Sequence, residues 1–168
     1  MSTFVTANTY VHTTTYITDK MLRSLLFIIR ESGLDPGKFA SDWEWMERGI
    51  RTWLGTQDLQ TVILEVYDPR DGDLVGRWDF DIIYGYGGEG DGGMWVDTDA
   101  IRYAIRKAGL WPSQCEYRIV TVTKPWRPDV AGWLRTTLRS TDGFARHSIG
   151  TTIGAVGAGT STAYWRRS

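Results

Sequence analysis

The chain has 168 residues, 42% of them hydrophobic, and its 19 basic and 20 acidic side chains leave a formal net charge of −1. This length suits one domain with an apolar core, and the balanced charge disfavours direct binding of nucleic acid. A single cysteine, Cys115, excludes an intramolecular disulfide, and no segment predicts a signal peptide or a membrane span. We therefore expect a cytoplasmic protein without membrane contact.

The N-terminal third predicts two helices after an irregular start. Residues 3–17 are rich in threonine and β-branched side chains, which is typical of a short strand or a mobile arm. A helix is then predicted from a cap at Thr18 to Gly33. A second is predicted from Asp35 to Gly55, with an apolar stripe for packing.

A β-hairpin is predicted next. Residues 61–67 and 74–84 alternate as strands, and the segment between them contains Pro and Asp-Gly, which favour a turn. In the second strand Trp78 and Phe80 are expected to face the core. Asp79 and Asp81 are expected on the opposite, solvated side.

The glycine-rich residues 85–93 predict a loop. A further helix is predicted from a cap at Asp97 to Gly109, followed by a strand over residues 115–124. Beyond Pro128 small residues dominate, and this tail predicts two short strands, at residues 151–153 and 163–165, joined by a glycine-rich link.

No set of residues makes a convincing catalytic centre, so a non-enzymatic binding module is favoured, and no cofactor or metal is expected. Asp79 and Asp81 would lie roughly 7 Å apart on one strand face, so the alternative is a small metal-dependent enzyme using this pair. A further alternative treats the nine tryptophans as a stacking surface for carbohydrates or bases.

Taken in order, these segments resemble a HORMA domain. Residues 77–82 (RWDFDI) resemble the hairpin strand of spindle-checkpoint HORMA proteins, and residues 148–153 (SIGTTI) resemble the start of their C-terminal "safety belt". Residues 16–21, 139–144 and 164–167 are similar to bacterial HORMA proteins of antiphage CBASS operons, which signal through cyclic oligonucleotides.

The resemblance implies an α+β fold: a central, mostly antiparallel sheet with a β-hairpin, three helices packed on one face, and a C-terminal safety-belt segment. A single HORMA domain would span residues 1–168. It would divide into an N-terminal arm (1–15), a core (16–124) and the safety belt (125–168).

The resemblance also implies capture of a short closure-motif peptide, added as a strand beside the sheet and covered by the belt. The peptide would pair near strand residues Tyr117, Arg118, Ile119, Val120, Thr121 and Val122. Belt residues expected at the site are Trp133, Ile149, Thr151, Thr152, Ile153, Tyr164 and Trp165. Glycines in the belt would favour a conformational switch.

Several partners follow from the same resemblance. The closure peptide would come from a phage or from a protein of the same operon. The closed form would bind and activate a cGAS-like nucleotidyltransferase, which makes a second messenger in antiviral defence. An AAA+ ATPase remodeller would act on the N-terminal arm, and a second HORMA protein is a further candidate partner.

Overall fold

The computed structural model describes residues 9–85 and 93–167 of the chain. Four helices and six strands make up this part. They are α1 (Thr9–Glu31), α2 (Gly37–Ser41), α3 (Trp43–Gly55), β1 (Leu59–Tyr67), β2 (Leu74–Tyr84), β3 (Trp95–Val96), α4 (Thr98–Ala108), β4 (Glu116–Thr123), β5 (Phe144–Ala155) and β6 (Ala158–Arg167). The predicted α+β class is confirmed.

The strands form one sheet in the order β3-β5-β6-β2-β1-β4, and all neighbours are antiparallel. The predicted hairpin therefore lies inside the sheet, between β6 and β4, and the predicted strand over 115–124 is one edge. The helix expected from Asp35 to Gly55 is interrupted at Asp42, which separates α2 from α3. Asp97 accepts a hydrogen bond from the Ala100 amide, so it caps α4 as predicted.

The start of the chain differs from the prediction. From Thr9 onward the expected strand or arm is helical, and so is the expected cap at Thr18. Tertiary contacts override the weak helix propensity of threonine here. Thr13 Oγ1 donates to the Val156 carbonyl at 2.6 Å, and Ile17 is fully buried. Gly33, at φ +91°, ends α1 as predicted.

The two faces of the sheet are covered differently. The strand register places Leu64, Trp78 and Ile119 side by side on one face, and the helices pack against this face. We call it the helix face. The opposite face, here the polar face, carries Glu65 opposite both Arg77 and Arg118.

The C-terminal hairpin is longer than predicted. Instead of two short strands with a glycine-rich link, β5 and β6 have 12 and 10 residues and are joined by a tight turn with Gly157 at φ +92°. Small residues suit the ends of β5 and β6 next to this turn, because these ends are buried and α1 packs against the two strands. Of the predicted loop 85–93, residues 86–92 lie outside the described part.

Candidate functional site

The described sheet has two edge strands of different length. β4 has eight residues, whereas β3 at the opposite edge has two. Lys124 N donates to the Asp58 carbonyl at 2.9 Å, so its amide points toward β1. Antiparallel pairing alternates, and the amides and carbonyls of Ile119, Thr121 and Thr123 therefore point outward. No strand of the described chain pairs with them.

Residues 125–143, here called the belt segment, follow β4 and return alongside this edge before β5 begins. A groove of about 570 Å³ lies between the belt segment and β4. It is lined by residues 119–125 of the strand and its end, and by Arg127, Asp129 and residues 133–138 of the belt segment. A sheet edge covered in this way has room beside it for an extended chain.

The belt segment is held on the helix face by an aromatic cluster, here called the tryptophan anchor. Trp133 packs edge-on against Trp45 and Trp53, with ring centroids 5.1 Å apart in both pairs. Its indole N–H donates to the Trp45 carbonyl at 3.1 Å. Gly49 lies directly beneath this ring, where a Cβ atom would collide with the indole.

The preceding turn is held by the same cluster. Trp53 is fully buried, and its indole N–H donates to the Pro128 carbonyl at 2.6 Å. The Arg127 guanidinium lies 4.4 Å from the Trp53 ring, a cation–π distance. The belt segment is therefore held in place from residue 127 onward.

On the polar face, a buried carboxylate holds the other end of the belt segment; Glu65, Arg118 and Arg139 form this ionic anchor. Glu65 is fully buried, and its Oε1 accepts from Arg118 Nε at 2.6 Å and from Arg139 Nη1 at 2.9 Å. Its Oε2 accepts from the Arg139 backbone amide at 2.7 Å. Arg118 also donates to Thr136 and Thr137. A buried charge is tolerable only when it is paired and hydrogen-bonded in this way.

Because the tryptophan anchor is on one face of the sheet and the ionic anchor is on the other, the belt segment crosses the outer edge of β4 between Trp133 and Arg139. A strand added to this edge would pass beneath the crossing. The chain thus combines an unpaired sheet edge with a closed strap over it.

Five of the predicted peptide-contact residues line the groove. They are Ile119, Val120, Thr121, Val122 and Trp133. Tyr117 and Arg118 lie beside it but hold the fold together. Tyr117 Oη accepts from the Phe39 amide at 3.2 Å and donates to the Asp35 carbonyl at 2.7 Å. Burial raises the pKa of Tyr117, which keeps the hydroxyl protonated as a donor.

The other six predicted residues do not reach the groove. Two strands, β1 and β2, separate them from β4: Ile149, Thr151, Thr152 and Ile153 are on β5, and Tyr164 and Trp165 are on β6. They hold the C-terminal hairpin to the sheet instead. For example, Thr152 and Thr162 share a buried hydroxyl hydrogen bond of 2.7 Å. The structure therefore places these six residues apart from Trp133 and the groove, and their role in peptide binding stays a prediction.

The aspartates of the alternative enzyme hypothesis have other partners. Asp79 is buried rather than solvated, pairs with Arg77 at 2.7 Å and accepts from the Trp165 indole at 3.1 Å. Asp81 accepts from Thr61 at 3.0 Å and pairs with Arg146 at 3.2 Å. Residues 9–85 and 93–167 contain no group of three potential metal ligands.

The stacking-surface alternative also meets a structural difficulty. Trp53 is fully buried and Trp78 is 1% exposed, so two of the tryptophans that this hypothesis would need are in the core. Trp126 is the most exposed tryptophan, and it lies on the belt segment rather than in an array of aromatic side chains.

Sequence reasoning missed Glu65, Arg139 and Gly49. Glu65 carried a usable signal, because it is a lone charge between Leu64 and Val66 in an apolar strand. Its partner Arg139 is 74 residues away, and nothing in the local pattern indicates that pairing.

Comparisons with solved structures show the fold. A chain of the "Crystal Structure of Mitotic Checkpoint Complex" is 9% identical, with a TM-score of 0.76 over 93% of this chain and 99% of that one. HTP-2 of C. elegans, bound to the HIM-3 closure motif, is 11% identical, with a TM-score of 0.67 over 96% and 98%.

A chain of the E. coli MS115-1 HORMA:CdnC:Trip13 complex is 12% identical, with a TM-score of 0.57 over 97% and 95%. No curated protein sequence matches the chain. None of the described helices is long and apolar enough to cross a membrane. The family model described as bacterial HORMA domain 2 matches residues 1–168, so the chain belongs to the bacterial HORMA domain 2 family.

Proposed function

We propose that this protein captures a short closure-motif peptide as an additional strand on the outer edge of β4, beneath the belt segment. The observation that carries the proposal is the groove of about 570 Å³ between that edge and the closed strap. Strand addition obtains affinity from backbone hydrogen bonds and selectivity from side-chain pockets. The outward amides and carbonyls of Ile119 and Thr121 would supply the backbone hydrogen bonds, and the groove lining would supply the side-chain pockets.

We further propose that the peptide-bound form binds and activates a cGAS-like nucleotidyltransferase in a bacterial antiphage system, and that an AAA+ ATPase resets it through the N-terminal arm. This part is supported by the family and by the likeness to a chain of an E. coli HORMA:CdnC:Trip13 complex. The protein itself acts as a switch by binding and release, without catalysis, from a single domain with an arm, a core and a belt.

Strand capture is tested by selecting short displayed peptides on the full-length protein and then N-methylating each backbone amide of a selected peptide in turn. We expect loss of binding at every second position, because amides on one side of an added strand bond to β4 and the others face away. Uniform tolerance of methylation would contradict strand addition.

The role of the belt segment is tested with two matched substitutions. Trp133→Ala removes the tryptophan anchor, whereas Trp126→Ala removes an indole that is 72% exposed. We expect faster peptide dissociation for the first and unchanged dissociation for the second, measured by surface plasmon resonance. Equal rates in all three proteins would show that the belt segment does not retain the peptide.

Signalling is tested by mixing the protein with the nucleotidyltransferase encoded in the same operon and measuring cyclic-oligonucleotide synthesis. We expect synthesis to require both this protein and the selected peptide. Synthesis that is independent of the peptide would refute the switch while leaving peptide capture intact.

A further inference from the structure

The groove has an uneven charge, although the whole chain is nearly neutral. Its lining contains three cations, Lys124, Arg127 and Arg135, and one carboxylate, Asp129. Arg127 and Asp129 pair with each other at 3.1 Å, and Arg127 also covers Trp53. These two side chains are therefore occupied within the fold.

The other two cations differ from this pair. Lys124 and Arg135 form no ion pair with any residue in 9–85 or 93–167. Lys124 follows the end of β4, where its ammonium lies 5.9 Å from the Trp126 ring, and Arg135 is exposed on the facing belt segment. Both are positioned to meet charge on whatever occupies the groove.

Between these cations the lining combines four threonines, Thr121, Thr123, Thr136 and Thr137, with five aliphatic side chains. Ile119, Val120 and Val122 come from β4, and Leu134 and Leu138 come from the belt segment. Leu134 is 91% exposed and Leu138 is 40% exposed, although both face a groove. An occupant with aliphatic side chains would bury this apolar surface.

A smaller cavity of about 110 Å³ lies on the helix face beside the first half of β4. Phe39, Trp45, Met46 and Ile119 supply its apolar walls. Side chains of an added strand alternate between the two sheet faces, so one of them would be directed toward this cavity. Its size suits a single aliphatic side chain.

We propose that the closure peptide of this protein is acidic and aliphatic: an extended segment of about six residues, with aliphatic side chains at alternate positions and at least one Asp or Glu facing Lys124 or Arg135. Six residues correspond to positions 119–124, the part of the groove lining that precedes Pro125. This inference rests on the proposed strand capture and specifies its ligand.

The probe is a library of short random peptides displayed on beads, selected on the full-length protein and sequenced. We expect Asp and Glu to be enriched over Lys and Arg in the retained pool, next to aliphatic positions. The double variant Lys124→Glu with Arg135→Glu should weaken a selected acidic peptide on the order of tenfold and shift the retained pool toward basic residues. High salt should weaken binding to the wild type.

The matched control is Arg106→Glu with Lys107→Glu, two exposed cations on α4 outside the groove. It makes the same change in net charge and should leave peptide affinity unchanged. Two results would overturn the acidic preference alone. One is an equal loss of peptide affinity in both double variants. The other is a retained pool without acidic enrichment whose peptides still dissociate faster from Trp133→Ala. No retention of any peptide by the wild type would overturn strand capture together with this inference.

Discussion

The two ends of the belt segment are held by opposite kinds of chemistry. At the tryptophan anchor, the indoles of Trp45 and Trp53 pack edge-on against Trp133, and two indole N–H groups donate to backbone carbonyls. At the ionic anchor, one buried carboxylate accepts three hydrogen bonds from two arginines. Packed aromatic rings make many contacts that are individually weak and can be lost one after another, whereas a buried charge requires all of its partners at once.

This difference suggests distinct roles for the two ends. An end held by packing can slide or loosen gradually, and an end held by a buried ion pair opens in a single step because partial opening leaves Glu65 unpaired. We therefore expect the ionic anchor to set the threshold for release of the belt segment. We expect the tryptophan anchor to set its position.

The largest expected effect is that of Glu65→Ala. It removes a fully buried carboxylate and leaves two partly buried arginines facing each other, which typically costs about 3–5 kcal/mol of unfolding free energy. Chemical denaturation measures this loss. Hydrogen exchange should rise first at residues 136–143. Glu65→Gln is the control that keeps an acceptor and the side-chain shape, and a loss in Glu65→Ala below about 1 kcal/mol would contradict a buried ionic anchor.

Trp133→Ala should have the next largest effect. It should lower the unfolding free energy by about 2–4 kcal/mol, because it empties the space between Trp45 and Trp53. Hydrogen exchange should rise at residues 128–134 while the amide of Arg139 stays protected by Glu65. Trp126→Ala, on the same segment, should change stability by less than about 0.5 kcal/mol. Equal loosening of both ends by Trp133→Ala would show that the two anchors act as one.

Gly49→Ala should lower the unfolding free energy by less, about 1–3 kcal/mol, because the new Cβ atom displaces the Trp133 indole. In the Trp133→Ala background the same change should become neutral or stabilising, since alanine is the better residue inside α3 by about 1 kcal/mol. A double-mutant cycle in chemical denaturation measures this coupling. Additive effects of the two substitutions would indicate that Gly49 serves some other contact.

The smallest expected effect concerns an exposed carboxylate–arginine pair, which sharpens the contrast with Glu65. Hydrogen bonds from the Arg70 side chain and backbone amide lower the pKa of Asp68 from 3.8 to about 2. A lowered pKa stabilises the fold above about pH 4, and this contribution disappears as the pH falls toward 2. NMR titration should show the low pKa in the wild type and a value nearer 3.8 in Arg70→Gln. An unchanged low value in that variant would exclude the Arg70 guanidinium as the cause.

Prediction from sequence succeeded where the signal was local. The Asp97 cap, the Gly33 helix end and the hairpin around Asp-Gly are all present, since each depends on residues a few positions apart. The resemblance also pointed to β4, and its residues Ile119 to Val122 line the groove. Peptide pairing there stays a prediction.

It failed where the partner is distant in the chain. Asp79 was expected to be exposed to water because strand alternation puts it on the polar face. Alternation does not say which side chains cover that face. Trp165 and Arg77 cover it. Ile153 and Tyr164 were expected at the peptide site, but the strand order puts them beyond β1 and β2. Likewise, threonine-rich residues 9–17 are helical because Thr13 and Ile17 become buried.

The sequence by itself determined the α+β composition, the hairpin and the turn and cap positions, because short-range spacing of apolar, turn-forming and capping residues encodes these features. The kind of domain followed from the resemblance of several segments to HORMA proteins. Only the tertiary structure decided that a belt crosses the β4 edge from Trp133 on one face to Arg139 on the other. That crossing depends on the pairing of Glu65 with an arginine 74 residues away and on an indole fitting over Gly49, contacts that no local pattern specifies.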